Sequence, residues 1–153
     1  MRTAQDGGGP VPRPLAAVLD GSTPPGVLTW PADRPVADAL AAARDAGWSG
    51  AALDLEGALD KAEFMERCAR ALRLPQWFGR NWDALADCLT DLSWCPAVGG
   101  RLLVLTGWQG YASAVPEEWS VFEEVLADAV GHWRGTDTGL VVIMARGAAR
   151  RGS

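Results

Sequence analysis

Asp83 and Asp87 stand four residues apart in the stretch LPQWFGRNWDALADCLTDL, residues 74–92. On a helix that spacing puts both carboxylates on the same side. General acid–base chemistry would need the pair in split environments, one carboxyl kept protonated by burial. A hard cation would need further oxygen or nitrogen donors converging on the same spot, and Asp91 continues the face by one more turn. A third use needs neither condition, because two fixed negative charges can hold the Arg or Lys groups of a partner in charge-assisted hydrogen bonds. The fourth reading is a solvated helix face, which tolerates the like-charge repulsion of about 0.2–0.5 kcal/mol. The neighbours bear on the choice. Trp77, Phe78 and Trp82 lie within six residues of Asp83, with Gly79 between them. Phe78 and Trp82 are expected to reach the core, whereas Trp77, in a turn after Pro75, is harder to bury. An aromatic beside paired carboxylates at a helix start has the composition of a protein-binding hot spot.

The rest of the inventory narrows the chemistry. His132 is the single histidine, so Ser-His-Asp catalysis and multi-histidine metal sites have little to draw on. Cys68, Cys88 and Cys95 are odd in number and lack CxxC spacing, which disfavours a disulfide framework or a zinc site. Cys68 and Cys88 fall in helical patterns, where a free cysteine is usually a small buried hydrophobe. No cofactor is expected. Net charge is −5, unevenly placed: residues 15–145 hold 18 Asp and Glu against 9 Lys and Arg, and the excess of cations lies in the two tails. An acidic body repels nucleic acid and is steered towards basic partners. The chain lacks an apolar run of the roughly 18 residues that span a membrane, and MRTAQDGGGPVPRP has no apolar signal core. A cytoplasmic protein that binds neither nucleic acid nor membrane is the expectation.

These side chains need elements to hold them. Residues 1–14, rich in Gly and Pro, are expected as a flexible tail, residues 15–145 as a single domain, and residues 146–153 as a basic C-terminal tail. Val27 to Trp30 is a candidate strand, Val36 to Ala46 a helix stopped near Gly47, and GAALDLEG, residues 50–57, a short strand. Asp60 followed by Glu63 opens a helix with a capping-box pattern, its stripe of Phe64, Cys68, Ala71 and Leu72 running until Pro75 blocks it. Asn81 is placed to cap the next helix. Trp82, Leu85, Cys88 or Leu89, and Leu92 form its inner face; Asp83, Ala86, Asp87, Thr90 and Asp91 lie on a polar one. GGRLLVLTGW, residues 99–108, reads as a buried strand, followed by a polar loop to Pro116. The helix from Glu117 to Val130 presents Trp119, Phe122, Val125, Leu126 and Ala129 on one face. GLVVIMA, residues 139–145, is a β-branched strand. Strands separated by helices imply an α/β fold with a parallel sheet.

LPQWFGRNWDALADCL resembles the signature of the barstar family, small intracellular inhibitors of secreted bacterial ribonucleases. Shared are the Leu-Pro that ends one helix, an aromatic pair, Gly, Asn, then Asp-Ala-Leu and a second Asp four residues after the first. DLEGALDKAEFMERCARAL, RLLVLTGW and GLVVIMA extend the likeness over roughly residues 51–145. The resemblance implies a three-stranded parallel sheet packed by helices, with residues before it free to add a strand and a helix. It also implies inhibition by plugging: the two-Asp helix covers the active site of a guanyl-specific-type microbial ribonuclease in a 1:1 complex, with no catalysis. Carried over by position, Asp87 takes the place of an RNA phosphate among the nuclease's cations, and Asp83 binds the basic groups beside it. Trp77 packs on the catalytic histidine, Gly79, Asn81 and Trp82 line the turn, and Thr90 lies further along the helix. Asp128 corresponds to a further acidic contact.

Three positions depart from the family pattern. Ala86 stands where the family often has Trp, Asp91 where it can have Gly, and Arg80 where it can have an acidic residue that would suit a basic target. Two other classes stay open beside the inhibitor: an interaction module of this fold for another basic partner or toxin, and a carboxylate enzyme.

Overall fold

The computed structural model describes residues 13–24, 26–30, 34–74, 79–90, 100–134 and 139–145. In chain order the elements are α1 (Arg13–Leu19), β1 (Val27–Trp30), α2 (Val36–Asp45), β2 (Ser49–Asp54), α3 (Lys61–Ala71), α4 (Trp82–Thr90), β3 (Gly100–Thr106), α5 (Gln109–Ala114), α6 (Pro116–Arg134) and β4 (Gly139–Ala145). The four strands form one parallel sheet in the order β1-β4-β3-β2.

The sheet explains the uninterrupted apolar runs of β3 and β4. Successive side chains of a strand point to opposite faces, so a strand covered on both faces must be apolar throughout. Leu103 and Leu105 of β3 and Leu140 and Val142 of β4 join one buried cluster with α3, α4, α5 and α6. Leu102 and Val104, with Val141 and Ile143, face the other way into a second cluster with Leu15 and Val18 of α1, Trp30 of β1, and Ala39 and Ala43 of α2. The sheet thus has four strands rather than the three implied by the family likeness. The fourth, β1, pairs along β4 from Val27↔Val142 to Trp30↔Ala145, so the N-terminal residues satisfy backbone groups that β4 would otherwise leave unpaired on that edge. α1 begins at Arg13, just ahead of the expected domain boundary. The polar loop expected before Pro116 contains helix α5, which buries Tyr111.

The cap at α3 forms in part. Asp60 accepts a hydrogen bond from the Glu63 N–H at 2.8 Å, while the Glu63 carboxylate turns to Arg67, whose Nε donates to it at 2.7 Å. Arg67 also donates to the carbonyls of Asp54 and Glu56, tying the end of β2 to α3. Gly107, just after β3, has φ 62, and a Cβ there would lie 2.6 Å from the Glu56 nitrogen. Only glycine fits where the two strand ends approach this closely.

Candidate partner-binding face

Residues Gly79, Arg80 and Asn81 form an exposed turn into α4. Arg80 takes φ 55, a left-handed conformation uncommon for a residue with a Cβ. Asn81 then caps the helix: its Oδ1 accepts the Ala84 N–H at 2.7 Å, satisfying one of the donors a helix start leaves orphaned. The cap fixes the helix rotation. Leu85, Cys88 and Leu89 turn into the core, and Asp83 and Asp87 turn outward and are exposed. Ala86 and Thr90 are half-buried beside them. Asp83 lies in the first turn, where the helix dipole favours a negative charge.

Both ends of α4 are braced against α6. Half-buried Trp82 donates its indole N–H to Glu118 Oε1 at 2.7 Å. Its ring packs 5.2 Å from Phe64 and 6.0 Å from Phe122, with the Lys61 ammonium 5.9 Å from its centroid. At the far end the indole N–H of Trp133 donates to the Leu89 carbonyl at 2.7 Å, one of the acceptors a helix C-terminus leaves without a partner. The Arg101 guanidinium stands 4.8 Å from the Trp133 ring. Thr90 Oγ1 donates to the Ala86 carbonyl at 2.9 Å and lies 3.3 Å from that of Asp87, so its hydroxyl is engaged within the helix.

The structure therefore brings Asp83, Ala86, Asp87 and Thr90 onto one outward surface, continuous with the turn at Gly79 and Asn81. Trp82 differs: its ring and N–H are committed inward, and it positions the helix more than it offers contact. Asp128 is exposed on α6. Glu118, Val121, Val125, Asp128 and His132 follow one another at steps of three and four, so Asp128 shares the strip of α6 whose first member touches α4. Trp77 and Asp91 lie outside the described residues. Among the described residues no three His, Cys, Asp or Glu side chains come together so as to hold a metal ion. Asp83 and Asp87 are alike in their exposure, where acid–base chemistry would need two different environments.

Three participants escape sequence reasoning. Glu118 and Trp133 hold α4 from 36 and 44 residues away, beyond any local spacing rule. Glu66 on α3 pairs with Arg80, and that guanidinium holds the Glu66 carboxyl below the usual range, first by the hydrogen bond and then by its charge.

Together these features define a parallel α/β domain that presents a braced, outward-facing acidic helix. The barstar (barnase inhibitor) family model matches residues 48–145, well over half of the chain, and the chain belongs to that family. The matched span starts at Trp48, so α1, β1 and α2 precede it. A search of curated proteins finds no match to the chain. Among the described residues no helix is long and apolar enough to cross a membrane.

Proposed function

We propose that this protein inhibits a secreted guanyl-specific-type microbial ribonuclease by covering its active site, one inhibitor to one enzyme. The observation that carries this is the pair of exposed carboxylates one turn apart on a helix fixed at both ends, in a member of the barstar family. A nuclease that binds a polyanion presents a cationic cleft. Asp87 occupies the place of an RNA phosphate there, accepting hydrogen bonds from the cleft's Arg, Lys and His groups, and Asp83 takes the basic groups beside it. Rigidity matters to this task. A helix already immobilised by Trp82, Glu118 and Trp133 loses little conformational freedom on binding. Cytoplasmic residence would suit an inhibitor that guards against an enzyme destined for export.

The test is titration calorimetry of the full chain against a panel of small guanyl-specific ribonucleases, with Asp87→Ala and Asp128→Ala alongside. A 1:1 complex that weakens with added salt is the expected result. Asp87→Ala leaves the cations of the cleft desolvated and unpaired, a loss of about 3–5 kcal/mol. Asp128→Ala removes an exposed charge and costs at most about 1 kcal/mol. If the Asp87→Ala protein inhibits as well as the parent, the wrong face has been assigned.

A further inference from the structure

We propose that Lys61 is a specificity-determining residue of this face: its ammonium takes an acidic side chain lying beside the partner's cationic cleft. The proposal rests on the ribonuclease-inhibitor reading and names a feature of the partner that reading leaves open.

Two things argue against a cation at this place. Lys61 is the first residue of α3, where the helix dipole favours an acid. It also stands at the edge of a surface made to meet a cationic cleft. The side chain is exposed and reaches across to α4, its ammonium 5.9 Å from the centroid of the Trp82 ring. Trp82 directly precedes Asp83 in the first turn of α4, and its contacts with Phe64, Phe122 and Glu118 keep the ring in place. The cation is therefore held beside the end of the helix from which Asp83 projects. The hold is weak, because about 6 Å is the outer limit of cation–π attraction. Among the described residues the ammonium enters no ion pair and no hydrogen bond. The ring offers it a π face rather than an oxygen, so its three N–H donors are open to an oxygen acceptor from a partner. A carboxylate meets that offer best, since both members of the pair are then charged. A partner with an Asp or Glu next to its phosphate-binding cations gains this contact. A partner with a further cation there is repelled, which is how a rim charge selects among similar targets.

The experiment measures affinity of the full chain for each ribonuclease of the panel, comparing the parent with Lys61→Met, Lys61→Arg and Lys61→Glu. Lys61→Met keeps an unbranched side chain of similar length and deletes the charge. If Lys61 meets no acid, its loss removes a like charge from the approach of a cationic cleft and binding tightens. The proposal requires the opposite sign. For the ribonuclease that the parent binds most tightly, Lys61→Met should weaken binding about threefold, the worth of an exposed charge pair. Lys61→Glu should weaken it further. Lys61→Arg should keep most of the affinity, because a guanidinium carries the same charge and also stacks on an aromatic ring. Double-mutant cycles pairing Lys61→Met with alanine at each Asp and Glu around that enzyme's cleft should find a coupling with one of them, which a role confined to holding Trp82 would not give. Binding by Lys61→Met and Lys61→Glu that equals or exceeds the parent's on every ribonuclease, or cycles that show no coupling, overturns the proposal while the inhibitor reading stands. A parent chain that binds none of the panel overturns both.

Discussion

Tyr111 is buried, its ring stacked 4.7 Å from Phe64 and edge-on to Trp119, yet its hydroxyl has no hydrogen-bond partner among the described residues. Burial, with the charges of Glu118 and Asp60 behind it, pushes the phenol up to about 12. An unfolded tyrosine titrates near 10. The native state therefore keeps its proton where the unfolded chain gives it up, and stability complete below about pH 10 drains away as pH rises towards 12. Because Tyr111 is the single tyrosine of the chain, ultraviolet titration at pH 10.5 should show little phenolate in the folded protein and about three quarters ionisation in denaturant. Tyr111→Phe removes a buried hydroxyl that lacks a partner. It should raise stability by about 1 kcal/mol in urea unfolding and flatten the alkaline decline. Cys68 follows the same physics, since burial pushes its thiol well above the usual range. It should resist a thiol reagent at pH 8 until the protein unfolds. The buried-hydrophobe reading of Cys68 and Cys88 followed from their helical spacing, and both are buried. Tyr111 was hidden, because the segment around it has one large apolar residue and no periodic stripe to announce a helix.

At the scale of the element, α4 divides into what local rules reach and what they do not. Asn81 before an alternating Trp-Asp-Ala-Leu run is a capping signal, and the cap forms there. Asn81→Ala should cost about 1 kcal/mol, read from a denaturant midpoint. The outward direction of Asp83 and Asp87 follows from the same cap, because once the helix start is known the 3.6-residue period assigns every later side chain. Trp82 shows the limit of that reasoning. Spacing assigned it to the inner face and the family likeness to the binding turn, and only tertiary packing shows its indole N–H committed to Glu118. No local spacing rule points to Trp133, whose contact with α4 spans 44 residues. Trp133→Phe keeps most of the ring and deletes the donor to the Leu89 carbonyl, so about 1 kcal/mol of stability should be lost. Ribonuclease affinity should fall with it, as the C-terminal turn beside Asp87 loosens.

The whole molecule is a parallel sheet sealed on both faces, and the second seal is made by residues outside the family match. Leu102, Val104, Val141 and Ile143 would lie open without Leu15, Val18, Trp30, Ala39 and Ala43. A chain begun at Trp48 should consequently bind a hydrophobic dye and aggregate at concentrations where the full chain stays monodisperse. The β-branched and Leu-rich runs announced buried strands with helices on both sides, which is why the α/β class was legible. Strand order was not, since nothing in VLTW states which edge it will join. That order has a temporal consequence. β1, the first strand, hydrogen-bonds to β4, the last, with Val27 opposite Val142. As a ribosome delivers the polypeptide, β1 waits until β2, β3 and the helices between them have been made before its neighbour exists. Pairing so distant in sequence is slow to close. Pulse-labelled hydrogen exchange during refolding should therefore find the β1 amides protected after those of α3 and α6, making the N-terminal seal the closing act of folding.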